Sequence, residues 1–164
     1  MPVSPPVITK AHYELLAALR HGLLRFLHFS RAAAEAAGLT PQQHQALLAI
    51  KGCPGRDYLA VGELAERLQL RHHSTVELVD RLVRRQLVRR RPSPVDRRKV
   101  EVRLTARGET LIRRLSAAHL AELRQHGPEL HRLLGSITRP GPAALRSSPA
   151  ARAGRRPRGR RDKG

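Results

Sequence analysis

The sequence predicts a mainly α-helical fold with a small β wing, and two patterns support this prediction. Apolar residues recur at helical spacing through most of residues 9–135. Residues 87–104 alternate instead like two strands joined by a charged turn. Two short helices before such a hairpin are typical of a winged helix-turn-helix lobe. We therefore expect this lobe over residues 39–104, flanked by long terminal helices over 9–37 and 105–135.

The first two helices carry clear end signals. Helical spacing of leucines and alanines predicts the first helix over residues 9–37, and Gly38 fits its C-terminal stop. Thr40 then opens the second helix as its N-cap, followed by Pro41, which suits a first turn. Gln43 completes the capping box with Thr40.

The predicted lobe continues with a short strand, Tyr58–Ala60, and a third helix, Val61–Leu68. The fourth helix runs from His72 to about Gln86, with one apolar stripe facing inward. Four residues share the stripe: Thr75, Leu78, Val79 and Leu82. The start of this helix is consequently exposed, as expected for a recognition helix.

The wing is predicted as two strands, Leu87–Arg91 and Lys99–Leu104, joined by a turn over Ser93–Arg98. Thr105 can cap a last long helix, which we expect to end at Gly127-Pro128. A short helical piece, Glu129–Leu134, follows in this prediction.

Charge indicates a polyanionic partner. The chain has 164 residues and a formal net charge of +19. Residues 139–164 lack apolar periodicity and are rich in Arg, Pro, Gly, Ala and Ser, which predicts a disordered basic tail. This tail holds nine Lys or Arg and one Asp, a net +8, so +11 remains on residues 1–138, the predicted single domain.

Several classes of protein are disfavoured. No apolar run approaches the roughly 18 residues of a membrane span, and the N-terminus lacks the apolar stretch of a secretory signal. Aromatic residues make up 2% of the chain, which disfavours single-strand binding by base stacking. Cys53 is the only cysteine, so no internal disulfide can form. We expect a cytoplasmic protein, associated with the nucleoid and not with membranes.

Catalytic and metal motifs are missing from the sequence. It has no glycine-rich phosphate loop, nucleophile elbow or HExxH motif, so we expect neither an enzyme nor a cofactor. The nine histidines lack cysteines or carboxylates at ligand spacing, which disfavours a metal site. A surface or pocket-lining role is expected for His119 and His126.

Several motifs, in order, resemble the multiple-antibiotic-resistance regulator (MarR) family. They are LTPQQHQALLAI from Leu39, VGELAERL from Val61, and STVELVDRLVRRQLVRRRPSPVDRRKVEVRLTARG from Ser74. The resemblance covers about residues 9–135. It implies a homodimer joined by its terminal helices, a palindromic operator in double-stranded DNA, and release by a small, often aromatic, anion. Ala60 and Arg71 depart from the Ser or Thr that the family often has before its third and fourth helices.

The exposed helix start and the wing supply the predicted DNA contacts. Val76 suits a thymine methyl group and Glu77 suits cytosine N4, although Glu77 stands where the family often has basic residues. The resemblance implies that Arg97 enters the minor groove with Asp96 as its brace. The predicted DNA-binding residues are His72, His73, Ser74, Val76, Glu77, Arg84, Arg89, Arg91, Asp96, Arg97, Arg98 and Lys99.

Apolar stripes on the terminal helices predict the dimer contact. They offer more apolar surface than a lone winged helix buries. The predicted dimerisation residues are Leu15, Leu16, Leu19, Leu23, Leu115, Leu120 and Leu123. The sequence thus predicts a sequence-specific transcriptional repressor. The alternative is a structural protein that binds DNA or RNA non-specifically through its Arg-rich tail.

Overall fold

A computed structural model describes residues 7–94, 96 and 100–138. The described part contains eight elements in the predicted order: α1 (Lys10–Ala36), α2 (Pro41–Lys51), β1 (Tyr58–Ala60), α3 (Val61–Leu68), α4 (His72–Arg84), β2 (Val88–Pro92), β3 (Val100–Leu104) and α5 (Ala106–Thr138). The predicted fold class, mainly helical with a small wing, is confirmed. The predicted tail over 139–164 lies outside the described residues.

The turn between α1 and α2 follows from its sequence. Gly38 adopts a left-handed backbone with φ of 72°, which glycine tolerates without strain. Thr40 Oγ1 accepts from the Gln43 backbone N at 3.2 Å, and Gln43 Oε1 accepts from the Thr40 N at 3.1 Å. This reciprocal pair satisfies two free amides and fixes where α2 begins.

The three strands form one antiparallel sheet in the order β1-β3-β2. Val88 pairs with Leu104, and Arg90 pairs with Val102. Because paired side chains point to the same face, these four residues share the inner face of the sheet. Val88, Val102 and Leu104 are buried there against the helices of the lobe. The core that they join includes Leu47, Ile50, Leu59, Leu64, Leu78, Val79 and Leu82, all almost fully buried.

The last helix does not end at Gly127-Pro128, and no separate helical piece follows. Instead α5 runs unbroken from Ala106 to Thr138 with Pro128 inside it. Pro128 is exposed, so water can reach the Arg124 carbonyl that loses its helical partner. Leu133, beyond the proline, is buried. Burial of the following turn explains why the helix continues through a residue that favours a stop.

The two terminal helices pack against each other in antiparallel fashion. Arg25 on α1 meets His126 on α5, while Ser30, further along α1, meets His119, earlier on α5. Near the C-terminal end of α5, Leu130 lies over Gly22, where a Cβ atom would stand 2.6 Å from Leu130 Cδ2. Glycine at this position therefore permits the close approach of the helices. No helix in the described ranges is long and apolar enough to cross a membrane.

Candidate nucleic-acid interface

The start of α4 is exposed because its apolar stripe points into the lobe. Thr75, Leu78, Val79 and Leu82 are buried, as the sequence predicts. His72, His73 and Glu77 are exposed on the other faces, whereas Ser74 and Val76 are half-buried. The structure thus brings together the five predicted contacts of this helix at or near its N-terminal end. Glu77 lies 3.8 Å from Arg81 one turn later, a solvent-exposed ion pair that contributes little to stability.

The residues before α3 and α4 provide no side-chain cap to these helices. Neither Ala60 nor Arg71 provides a side-chain hydrogen bond to the first turn that follows it. At α3, Glu63 Oε2 accepts from the Ala60 backbone N at 2.8 Å, which supplies half of a capping box. At α4, Thr75 Oγ1 donates back to the Arg71 carbonyl at 3.1 Å. The first amides of α4 are left to solvent or to an external acceptor.

One arginine outside the predicted set connects the wing to the recognition helix. Arg90 Nη1 lies 2.5 Å from Asp80 Oδ1, and Arg90 Nη2 donates to the Val76 carbonyl at 3.4 Å. Both acceptors belong to α4. The alternation of side chains along β2 indicates this contact in the sequence, because Arg90 lies on the same inner face of the strand as the apolar Val88. The pair fixes the orientation of the wing relative to α4.

The other predicted strand arginines lie elsewhere. Arg89 pairs in register with Arg103, and Arg91 pairs with Glu101, so both occupy the outer face of the sheet. Arg84 is the last residue of α4, about 18 Å along the axis from His72. The structure therefore does not gather Arg84, Arg89 and Arg91 with the exposed start of α4.

The predicted wing tip lies mostly outside the described residues. Arg97, Arg98 and Lys99 are among the positions that the structure does not describe. Asp96 is described and half-buried, and its backbone N donates to Ser93 Oγ at 3.5 Å. The minor-groove role of Arg97 and the bracing role of Asp96 remain predictions.

A cluster around Tyr58 supports the outer face of the sheet. The Arg103 guanidinium lies 4.2 Å from the Tyr58 ring centroid and that of Arg56 lies 5.0 Å from it. The hydrogen bond to Glu63, and then the one to Cys53, raises the pKa of Arg56. The Cys53 thiol is buried and accepts from Arg56 Nε at 3.3 Å. These contacts hold the loop before β1 against α3.

The terminal helices expose much of the predicted dimer surface. Leu16 and Leu23 on α1 are 53% and 47% exposed, and Leu120 and Leu123 on α5 are 53% and 39% exposed. Leu15 and Leu19 are half-buried. The prediction is wrong for Leu115, which is 4% exposed and packs inside the core of its own chain. Leu24, Leu27, Leu134 and Ile137 were not predicted and extend the exposed apolar surface.

The histidines of α2 and α5 meet inside the chain. The His44 and His119 ring centroids are 4.6 Å apart, with Phe29 edge-on to His119 at 5.4 Å. His119 Nδ1 donates to the Leu115 carbonyl at 2.7 Å, and its Nε2 lies 2.9 Å from Ser30 Oγ. Burial, and then the charge of His119, lowers the pKa of His44. In the part of the chain that the structure describes, no three His, Cys, Asp or Glu side chains are grouped to hold a metal ion.

Comparison with known proteins identifies the lobe. A sequence model of the MarR family matches residues 37–99, which span α2 through the wing. Over this segment, the chain is therefore similar to the MarR family. The matched segment covers the predicted winged helix-turn-helix lobe, in agreement with the resemblance that its motifs indicate. No curated protein sequence matches the chain.

Solved structures of MarR proteins share the fold over about four fifths of the chain. A MarR family protein from Bacillus stearothermophilus is 25% identical with a TM-score of 0.66, covering 82% of this chain and 100% of its own. The regulator AbsC from Streptomyces coelicolor is 20% identical with a TM-score of 0.65, covering 82% and 94%. Sco3205, a MarR regulator from the same organism solved in complex with DNA, is 24% identical with a TM-score of 0.64, covering 82% and 87%.

Proposed function

We propose that the protein is a homodimeric transcriptional repressor that binds a palindromic operator and is released by a small organic ligand. The observation that carries this proposal is the exposed, uncapped start of α4 beside a basic wing. His72, His73 and Glu77 offer side chains to base edges, and the backbone N–H groups of the first turn can donate to a phosphate oxygen. Binding at the nucleoid in the cytoplasm follows from this role.

The apolar faces of α1 and α5 support the homodimer. Leu16, Leu23 and Leu27 recur at spacings of seven and four residues, so they form one stripe along α1. All three are about half exposed in the single chain. A second copy that covers these stripes removes them from water and sets two recognition helices about 34 Å apart, one turn of DNA.

The experiment selects bound sequences from a random duplex library with the full-length protein. We expect a palindromic consensus whose half-sites are separated by about one helical turn. Affinities for the selected duplex and for a scrambled duplex are then compared at one salt concentration. A small difference between the two would instead support non-specific binding through the basic tail, and the proposal would be wrong.

Arg97→Ala tests the wing contact. We expect a loss of about 1–3 kcal/mol for the selected duplex, because a minor-groove guanidinium contact is removed. Arg124→Ala is the matched control, since it removes the same charge from an exposed position on α5. Equal losses for both variants would show that only net charge matters, which would overturn the role of Arg97.

Leu23→Glu tests the dimer. A charge in the apolar stripe of α1 is expected to convert the dimer into monomers at micromolar concentration, measured by light scattering. Leu48→Glu is the control, because Leu48 is 45% exposed but lies on α2. Dimers that persist in Leu23→Glu, or a monomeric wild type, would contradict this interface.

A further inference from the structure

An apolar groove separates the start of α4 from the wing. It has a volume of about 490 Å³ and is lined by seven residues: Ala60, Val61, Gly62, His72, Val76, Arg90 and Val100. We call it the α4–wing groove. Val61 and Val76 are half-buried and Val100 is 40% exposed, so the apolar walls of the groove remain open to solvent. No Asp or Glu of the described residues lines it.

The side chains at the start of α4 lie on two different faces. His72, Val76 and Asp80 recur every four residues, so they share one face of the helix. Arg90 donates to Asp80 and to the Val76 carbonyl, which shows that this face is turned toward the wing. His73 and Glu77 occupy a neighbouring face, about 100° around the helix, and are exposed. Val76 therefore lines the groove and does not share the face of Glu77.

Two helix N-termini open beside the groove. Val61 and Gly62 form the first turn of α3, and His72 is the first residue of α4. Neither helix receives a side-chain hydrogen bond from the residue before it. The backbone N–H groups of a first turn and the helix dipole both favour an anionic oxygen. The surroundings thus favour an anion beside the groove and an apolar group within it.

A nucleic-acid strand has this alternation of charged and uncharged groups. Each sugar lies between two phosphates, and in DNA its C2′ edge carries only C–H groups. The groove also lies where a strand has to pass, between the helix proposed to read the major groove and the wing proposed to reach the minor groove. Continuity with that interface favours a strand over a separate small molecule.

We infer that the α4–wing groove holds one deoxyribose of each half-site, with its C2′ edge against Val76 and Val100, and that it thereby selects DNA over RNA. A ribose hydroxyl placed there would lose water and find no acceptor among the valine side chains. Arg90 cannot accept a hydrogen bond, and it already donates to Asp80 and to the Val76 carbonyl. The inference rests on the proposed function, because it uses the same docking of α4 and the wing.

The test scans single ribonucleotides through the selected duplex, with the full-length protein at one salt concentration. An all-RNA duplex is not used, because its narrow major groove excludes a helix whatever the sugar contacts are. We expect a loss of affinity of about tenfold at one or two adjacent positions in each half-site, between the bases reached by α4 and those reached by the wing. Equal effects at every position, or no effect at any, would overturn the inference.

Two chemical substitutions separate the hydroxyl from other causes. A 2′-fluoro sugar favours the same pucker as ribose but carries no hydroxyl, so most of the affinity is expected to return at the sensitive position. Equal losses for the fluoro and hydroxyl sugars would assign the effect to sugar shape and overturn the inference. Deoxyuridine in place of thymidine removes a base methyl group. A loss with deoxyuridine and none with ribose would show that the groove takes a thymine methyl group instead.

Protein variants locate the contact. Val76→Thr and Val100→Thr nearly keep the shape of the side chain and add a hydroxyl that can pair with a ribose hydroxyl. Each is expected to reduce the tenfold ribose penalty to less than about threefold. Val83→Thr is the control, since Val83 is 36% exposed on α4 but lies about 10 Å further along its axis. Val100 is exposed, so Val100→Thr keeps the test valid if Val76→Thr fails to fold. An unchanged ribose penalty in the folded groove variants would overturn the inference.

Failure of the groove and failure of the proposed function are distinguishable. A palindromic consensus without a ribose-sensitive position would refute the groove and leave the proposed function intact. Absence of a consensus would refute the proposed function. In that case, weaker binding of a random duplex with scattered ribonucleotides than of its all-DNA counterpart would still support the groove, and equal binding would refute it as well.

Discussion

Gly108→Ala tests how α5 is joined to the lobe. Gly108 lies in the first turn of α5, and its backbone N donates to Thr105 Oγ1 at 3.1 Å. Thr105 in turn donates through its backbone N to the Leu87 carbonyl at 3.0 Å. A Cβ atom on residue 108 would overlap that same carbonyl oxygen, closer than real Cβ contacts occur. The substitution therefore forces the first turn of α5 away from the backbone at Leu87, where the two segments meet in a buried junction.

The expected magnitude follows from three terms. Overpacking against the Leu87 backbone costs about 1–3 kcal/mol, and weakening the Thr105 bond costs about 1 kcal/mol more. Alanine's better helix propensity returns at most about 1 kcal/mol. We therefore expect Gly108→Ala to lower the free energy of unfolding by about 1–3 kcal/mol.

Urea unfolding at fixed protein concentration, followed by circular dichroism, measures this change. Gly127→Ala is the matched control, because it lies in the same helix and an added Cβ there meets no atom within 4 Å. Only the difference in helix propensity between glycine and alanine acts at this position. The unfolding free energy of the control is therefore expected to rise by up to about 1 kcal/mol. A Gly108→Ala protein as stable as the control would refute the steric argument.

Two further predictions concern His44 and Arg90. The lowered pKa of His44 means that the unfolded chain takes up its proton first, so stability should fall as pH drops below about 6.5. His44→Gln should reduce the dependence of the unfolding free energy on pH, whereas the same change at the exposed His28 should not. Equal pH dependence in the two variants would contradict the prediction. Arg90→Gln should weaken binding to the selected duplex while changing stability by less than about 1 kcal/mol. Arg89→Gln, which changes an arginine on the outer face of the sheet, is the control. A larger loss of duplex affinity in Arg89→Gln than in Arg90→Gln would contradict the role of Arg90 in joining the wing to α4.

The lobe was predictable because its signals are local. Thr40 and Gln43 form the capping box that their spacing implies, and the apolar stripe of α4 alone decides which of its residues face solvent. In the wing, the alternation of Val88 and Arg90 contained the information that separates Arg90 from Arg89 and Arg91. The predicted set nevertheless omitted Arg90, since charge alone does not say which face of a strand meets a helix.

The errors arose where distant parts of the chain meet. Pro128 favours a helix end locally, but burial of Leu133 keeps α5 continuous. Leu115 carries the same apolar signal as Leu120 and Leu123, and only the packing of α5 on the lobe distinguishes core from free surface.

The antiparallel pairing of α1 with α5 constrains the order in which the chain can fold. Contacts within the lobe join neighbouring segments, whereas Gly22 meets Leu130 only after more than a hundred intervening residues have been synthesised. The lobe can therefore close on the first turns of α5 while the second half of α5 is still inside the ribosome. Throughout that interval the leucines of α1 have neither the end of α5 nor a second copy to cover them. Helix α1 precedes the lobe in the chain and is nevertheless among the last of the described elements to reach its final packing.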